Sequence, residues 1–223
     1  MLSDGRAVTG PTEPGPRSVE SSRGRRPLVG VLALQGGFEA HERVLARLGA
    51  QTREVRVPAD LEGVQALVLP GGESTAITLG MERVALASPL AELIEAGVPV
   101  LGSCAGLILL DRDHLGVMDI VAARNAFGRQ LRSFETDLAV AGLDGGPVRG
   151  IFIRAPWIAE HGPGVEILAE VDGHAVAARQ GSILAVAFHA ELGEDDRLHR
   201  WLLALADERL AILADDAHSD LER

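Results

Sequence analysis

VPVLGSCAGLILL, residues 98–110, decides the fold. Its first half, VPVLGS (98–103), is a short apolar run of the kind that fills a strand buried on both faces of a sheet. Its second half, AGLILL, opens an apolar helix. Between them stands Gly102-Ser103-Cys104-Ala105-Gly106, a G-x-C-x-G turn that fits the nucleophile elbow, where a sharp strand-to-helix bend lifts one side chain above the sheet edge. The glycines are where such a bend needs them, because side chains there would crowd the neighbouring backbone. The thiol falls at a helix N-terminus, whose partial positive charge favours a thiolate. Cys104 is the only cysteine, so an internal disulfide and a multi-cysteine metal site are both excluded. A lone cysteine is ordinarily a small buried hydrophobe, and it is the elbow that favours a reactive one here.

Working outward, LVGVLAL (28–34), QTREVRV (51–57) and ALVLP (66–70) read as three more strands, with helical stretches at 38–48, 76–84 and 88–96 between them. Strands alternating with helices imply a parallel sheet with right-handed crossovers. The second half is richer in strands: MDIVAAR (118–124), FETDLAV (134–140), VRGIFI (148–153), VEILAEV (165–171), HAVAARQ (174–180) and SILAVAF (182–188). Asp172-Gly173 and the QGS at 180–182 are hairpin-type turns. A last helix is expected over about 194–211. The expected fold class is α/β, a central mostly parallel sheet with flanking helices and extra antiparallel strands. Residues 27–213 form the domain; residues 1–26, rich in Gly, Pro, Ser, Arg and Glu, are expected to be a disordered extension, and 214–223 a frayed acidic tail.

Composition narrows the function. A chain of 223 residues, 47% hydrophobic, suits one domain with a substantial core. No apolar run is long enough to span a bilayer, and the first residues lack the apolar stretch of a signal peptide, so a soluble cytoplasmic protein is expected. The formal net charge of -11 would repel a phosphate backbone, which argues against nucleic acid as a partner. All 21 basic residues of the Lys+Arg count are arginine. Schiff-base chemistry on a lysine therefore has to happen on another polypeptide.

A cysteine nucleophile needs a base that can also protonate a leaving amine. Of seven histidines (41, 114, 161, 174, 189, 199 and 218), His189 stands out, because it ends an apolar strand and is followed by Glu191. In an extended segment residues i and i+2 share a face, so Glu191 can hold the His189 imidazole in the required tautomer. A surface histidine near an unrelated glutamate explains the spacing equally well. Gly71-Gly72-Glu73-Ser74 follows the strand 66–70, and its small residues would let backbone N–H groups approach a developing oxyanion. Glu73 either binds the amine of an amino-acid substrate or caps the next helix. Arg124 and Arg154 each end an expected strand, and each suits a carboxylate ligand or an ordinary salt bridge.

Taken in order, GVLALQGGFEAH, LVLPGGEST, GSCAGLILL, RNAFGRQLRSFE, FIRAPWI and FHAEL resemble the class I glutamine amidotransferases, with their flavodoxin-like fold, and within them the PdxT/SNO family of pyridoxal 5′-phosphate synthase glutaminase subunits. The resemblance covers roughly residues 28–211. It implies a catalytic triad of Cys104, His189 and Glu191, with Cys104 attacking the side-chain amide of L-glutamine and a γ-glutamyl thioester as the intermediate. It implies glutamine-binding roles for Gly72, Glu73, Ser74, Arg124, Ile153 and Arg154. Gln35, Gly71 and Ala105 become the candidates for the oxyanion site and its activation. No cofactor or metal is implied. The expected partner is a TIM-barrel synthase subunit of the PdxS/SNZ type, which makes pyridoxal 5′-phosphate with its own lysines. Two departures stand out: Ala190 replaces the family's usual proline between His189 and Glu191, and Trp157 stands where histidine is common. The competing readings are a glutaminase feeding another synthase, a cysteine peptidase or thiol hydrolase on a similar scaffold, and a non-catalytic binding subunit.

Overall fold

The structure is a computed structural model that describes residues 27–124 and 133–221, with side chains to residue 215. The expected extension at 1–26 and most of the RNAFGRQ segment lie outside the described residues.

In chain order the elements are β1 (Leu28–Leu32), α1 (Phe38–Arg47), β2 (Gln51–Val55), β3 (Ala66–Leu69), α2 (Ser74–Arg83), α3 (Ala87–Glu95), β4 (Val100–Ser103), α4 (Ala105–Leu110), β5 (Ile120–Ala123), β6 (Ser133–Leu138), β7 (Val148–Ile153), β8 (Trp157–His161), β9 (Glu166–Val171), β10 (His174–Gln180), β11 (Ile183–Val186) and α5 (Arg197–Leu221). The main sheet runs β2-β1-β3-β4-β11-β10-β8-β5, with β9 added on β10. The first five strands of that order are parallel. From β10 onward every pairing is antiparallel. Strands β6 and β7 form a separate two-stranded ribbon.

The continuous apolar runs became the central strands, as their composition requires. Every residue of β3, β4 and β11 is buried. Helices cover both faces, so alternation would have left polar groups inside. The β9–β10 hairpin turns on Asp172 and Gly173 with φ of 50° and 76°, the paired positive values of a type I′ turn.

Two features differ from the sequence expectation. Strand β8 was not foreseen: it follows Pro156 directly and most of its residues are exposed, so no buried run marks it. Helix α5 begins at Arg197 and continues to Leu221, well beyond the expected end, so most of the expected tail is helical. Its start is fixed by Asp195, whose Oδ1 accepts from the Arg197 N–H at 3.0 Å. Its inner face is anchored by buried Leu198, Leu202, Leu205 and Ala206, at helical spacing.

The topology decides where a site can form. Strands β1, β3, β4 and β11 run the same way, so the loops at their C-terminal ends meet along one edge. The strand order reverses between β1 and β3, and ligands of open α/β sheets bind at such a switch point.

Candidate active site

Cys104 sits at that edge, between β4 and α4, with φ of 51° and ψ of -102°. A non-glycine residue held there is strained, by about 1–3 kcal/mol, and persists only where its surroundings enforce it. Here the enforcement is visible. The Cys104 N–H donates to Val186 O at 2.8 Å. A Cβ on Gly106 would run into the Leu69 carbonyl oxygen, and one on Gly102 would come within 2.6 Å of Leu110 Cδ1 and 2.8 Å of Gly106 O. The elbow is thus clamped between β3 and β11, which explains both glycines.

His189 and Glu191 lie past the end of β11 in an irregular segment, not in the extended strand expected from sequence. They still face one another: His189 Nδ1 and Glu191 Oε1 are 2.6 Å apart. The His189 backbone N–H donates to Ile151 O at 2.9 Å, which ties the segment to β7. Cys104 lies beside the same ring, close enough to act on its charge, while its Sγ is 4.0 Å from Ile153 O. Gly71 is wedged beside it. A Cβ there would lie 2.5 Å from His189 Cε1 and 3.3 Å from Cys104 Cβ.

The electrostatics follow from these contacts. Burial opposes charge on His189, but hydrogen bonds to Cys104 and Glu191, and attraction to both, overcome it and take its pKa from 6.5 up to about 10. Burial would likewise raise Glu191, yet the hydrogen bond with His189 and the imidazole of His41 beside its other oxygen hold it well below the usual carboxylate range. A buried carboxylate is tolerable only when its lone pairs are met, and Ser103 Oγ supplies a further contact at 3.1 Å.

In front of Cys104 a cleft of about 130 Å³ opens. Gly72, Glu73, Ser74, Ala105, Arg124, Ile153 and Arg154 line it. Ile108 and Pro156 also line it and were not foreseen; an apolar residue inside a helix and a proline after a strand carry no sequence signal for a site. Glu73 caps α2, accepting from Thr75 N at 3.2 Å and Ala76 N at 2.8 Å. Arg124 reaches across to Thr75 Oγ1 at 2.9 Å and Glu73 Oε1 at 3.4 Å. Arg154 has no ion-pair partner among the described residues. Its φ of 47° makes it, with Cys104, one of two strained non-glycine residues on this cleft. Gln35 and Gly71 do not line it. Gln35 stands behind the loop and accepts from the Glu73 N–H at 2.7 Å. The Gly71 carbonyl accepts from Gly37 N at 2.9 Å.

A cysteine at a strand-to-helix elbow, faced by a His–Glu pair on a doubly wound sheet, has the layout of an α/β cysteine hydrolase. The chain belongs to the SNO glutamine amidotransferase family, which it matches over residues 31–207. It is 52% identical over 182 residues to pyridoxal 5′-phosphate synthase subunit PdxT of Pelotomaculum thermopropionicum, covering 78% of this chain and 93% of that one. It is also 52% identical over 183 residues to the PdxT subunit of Frankia alni, covering 78% and 92%. Among solved structures, a glutamine amidotransferase crystal structure superposes with a TM-score of 0.75 at 46% identity, covering 80% of this chain and 98% of that one. Among the described residues no helix is long and apolar enough to cross a membrane.

Proposed function

We propose that this chain hydrolyses L-glutamine to L-glutamate and ammonia at Cys104 and delivers the ammonia to a synthase subunit that makes pyridoxal 5′-phosphate. The observation that supports the reading is that Cys104, which lines a small polar cleft, and the hydrogen-bonded His189–Glu191 pair gather around Gly71. With a pKa near 10, His189 holds a proton at neutral pH and enters the reaction as an acid. The Cys104 sulfur attacks the side-chain amide carbon of glutamine. The resulting oxyanion is met by backbone N–H groups of the Gly72 loop and of Ala105, whose position at the start of α4 leaves its N–H without a partner within the helix. The C–N bond breaks as His189 gives its proton to the departing nitrogen, which leaves as ammonia. His189, now neutral, takes a proton from water; the hydroxide attacks the thioester, and glutamate leaves as the sulfur is restored. Glu191 holds the imidazole throughout.

Arg154 is free to take the α-carboxylate, and Glu73 faces the α-amine. The ammonia acceptor in this proposal is a TIM-barrel subunit of the PdxS/SNZ type. Gln35 gives docking a handle, because it holds the Glu73 N–H, so a shift of that turn would release a backbone donor beside the cleft. The test is glutamate release with and without that synthase, comparing wild type with Cys104→Ala. Release that requires Cys104 and rises on adding the synthase is expected. An active Cys104→Ala, or an electrophilic glutamine analogue that labels another residue, sinks the mechanism. Stimulation by a different synthase only would replace the partner.

A further inference from the structure

Glu191 is not the end of the line of contacts. Its second oxygen, Oε2, faces two more side chains. Ser103 Oγ is 3.1 Å from it and also 3.1 Å from Phe188 O, so the single hydroxyl proton is divided between two acceptors. On the other side His41 Nε2, carried by α1, lies 3.2 Å away, within ion-pair reach though off the line of a hydrogen bond. Behind it, His41 Nδ1 meets His199 Nε2, carried by α5, at 2.9 Å. Both imidazoles are fully buried, and His199 Nδ1 has no partner. Two helices thus each spend a core position on a histidine, and the two rings converge on the back of one carboxylate. Of the four ring nitrogens only the facing pair is hydrogen-bonded; His41 Nε2 is met by the carboxylate alone, at ion-pair distance, and His199 Nδ1 by nothing, so burying both rings costs stability and calls for a reason.

Counting protons fixes which way the chain runs. One proton lies between His41 Nδ1 and His199 Nε2. Were it on a neutral His41, His41 Nε2 would aim a bare lone pair at the carboxylate. A neutral His199 would then carry its own proton on Nδ1, a buried N–H with no acceptor, which native structures rarely tolerate. With the proton on His199 Nε2, His41 carries its proton on Nε2, facing Glu191, and only a lone pair on His199 Nδ1 is left unmet. Burial pushes the His199 pKa down to about 3, consistent with a neutral ring.

We infer that His41 is a positioning residue for the reaction: its Nε2–H pins Oε2 of Glu191 so that Oε1 is presented to His189, and His199, by donating to His41 Nδ1, locks the tautomer that makes this possible. The inference rests on the reading of Glu191 as the group that orients His189. It adds two residues to the working site that touch neither substrate nor sulfur.

Two measurements test it. Long-range proton–nitrogen NMR on wild-type protein with labelled histidines reports tautomers directly. His41 and His199 are each expected to carry a proton on Nε2 and none on Nδ1, the signals being assigned by their loss in His41→Gln and His199→Phe. A proton on Nδ1 of either ring overturns the assignment. This arm needs no activity, so it stands even if glutamine proves not to be the substrate, and it decides the matter should a variant fail to fold. The second arm is used once wild-type glutaminase activity with the synthase is in hand. His41→Phe is expected to lower kcat roughly tenfold to a hundredfold, a part of the loss that follows when an orienting carboxylate cannot do its work, with KM for glutamine within about twofold. His41→Gln, whose amide can donate from near the same place, is expected to recover most of kcat. A folded His41→Phe with wild-type kcat refutes the role. Equal losses in the Phe and Gln variants that track a fall in Tm would assign His41 to folding alone.

Discussion

Replacing Gly71 with alanine should separate activity from stability. The added methyl would lie 2.5 Å from His189 Cε1, 2.9 Å from His189 Nδ1 and 3.3 Å from Cys104 Cβ. Ordinary carbon contacts begin near 3.5 Å, so the imidazole must retreat by about 1 Å. It can, because its side chain is 13% exposed, whereas Glu191 behind it is 1% exposed and fixed. A displacement of about 1 Å in a catalytic group costs on the order of a hundredfold in rate, equivalent to about 2.7 kcal/mol of transition-state stabilisation. Stability should change far less. Gly71 is not among the described glycines with positive φ, so alanine fits its backbone and restricts the unfolded chain, a gain of about 0.4–1 kcal/mol against the local crowding. Glutamate release under saturating glutamine, with the synthase present, gives kcat, and thermal unfolding gives the fold. A kcat within threefold of wild type would show that His189 does not sit in a fixed gap between Gly71 and Glu191, and would refute the geometry on which the mechanism depends.

The strain at Cys104 predicts an unusual order of stabilities. Cys104→Gly should unfold at a higher denaturant concentration than Cys104→Ala, by about 1 kcal/mol, because glycine relaxes at φ of 51° where alanine cannot; the reverse order would show that the elbow stores no strain. The pH profile should carry the signature of a proton-bearing imidazole: kcat/KM should hold through pH 8–9 and fall as His189 loses its proton near 10. An alkaline limb near the ordinary 6.5 would mean that His189 is not coupled to Cys104 and Glu191. Arg154→Ala should raise KM for glutamine roughly tenfold or more, since a charged hydrogen bond contributes about 1.5–3 kcal/mol, and an unchanged KM would remove its role in binding the carboxylate.

The parts of this molecule that could be read from sequence are those whose signal is local. A strand buried on both faces announces itself by an unbroken apolar run, so β1, β3, β4 and β11 were legible. The elbow was legible because backbone crowding demands glycine on both sides of one residue. Strand β8 was hidden because WIAEH buries little and is hydrogen-bonded between β5 and β10, which lie far from it in the chain. His41 and His199 were hidden for a related reason. They are 158 residues apart and meet only because α1 and α5 pack behind the same carboxylate. A local trace did exist. His41 shares the buried face of α1 with Val44 and Leu45, and His199 lies beside buried Leu198 on α5. A polar residue on an apolar stripe costs stability unless it is paired, so its presence there asks for a partner, though nothing local says which.

The same geometry explains why loss of activity should precede loss of fold in this site. The turn after β1 presses on the turn after β3, where a Cβ on Gly36 would collide with the Gly71 carbonyl oxygen. The turn after β3 in turn presses on Cys104 and His189, and the elbow presses back on Leu69 through Gly106. The contacts of Gly36 with Gly71 and of Gly106 with Leu69 are thus backbone against backbone, while Gly71 meets the catalytic residues through the His189 and Cys104 side chains. The sheet beneath is held by fully buried strands that such a change does not touch. Small additions along this edge must be taken up by the groups that can still move, and those are the His189 ring and the residues bordering the cleft. Chemistry is therefore lost first, at a cost of tenths of an ångström, while the hydrophobic core keeps the fold.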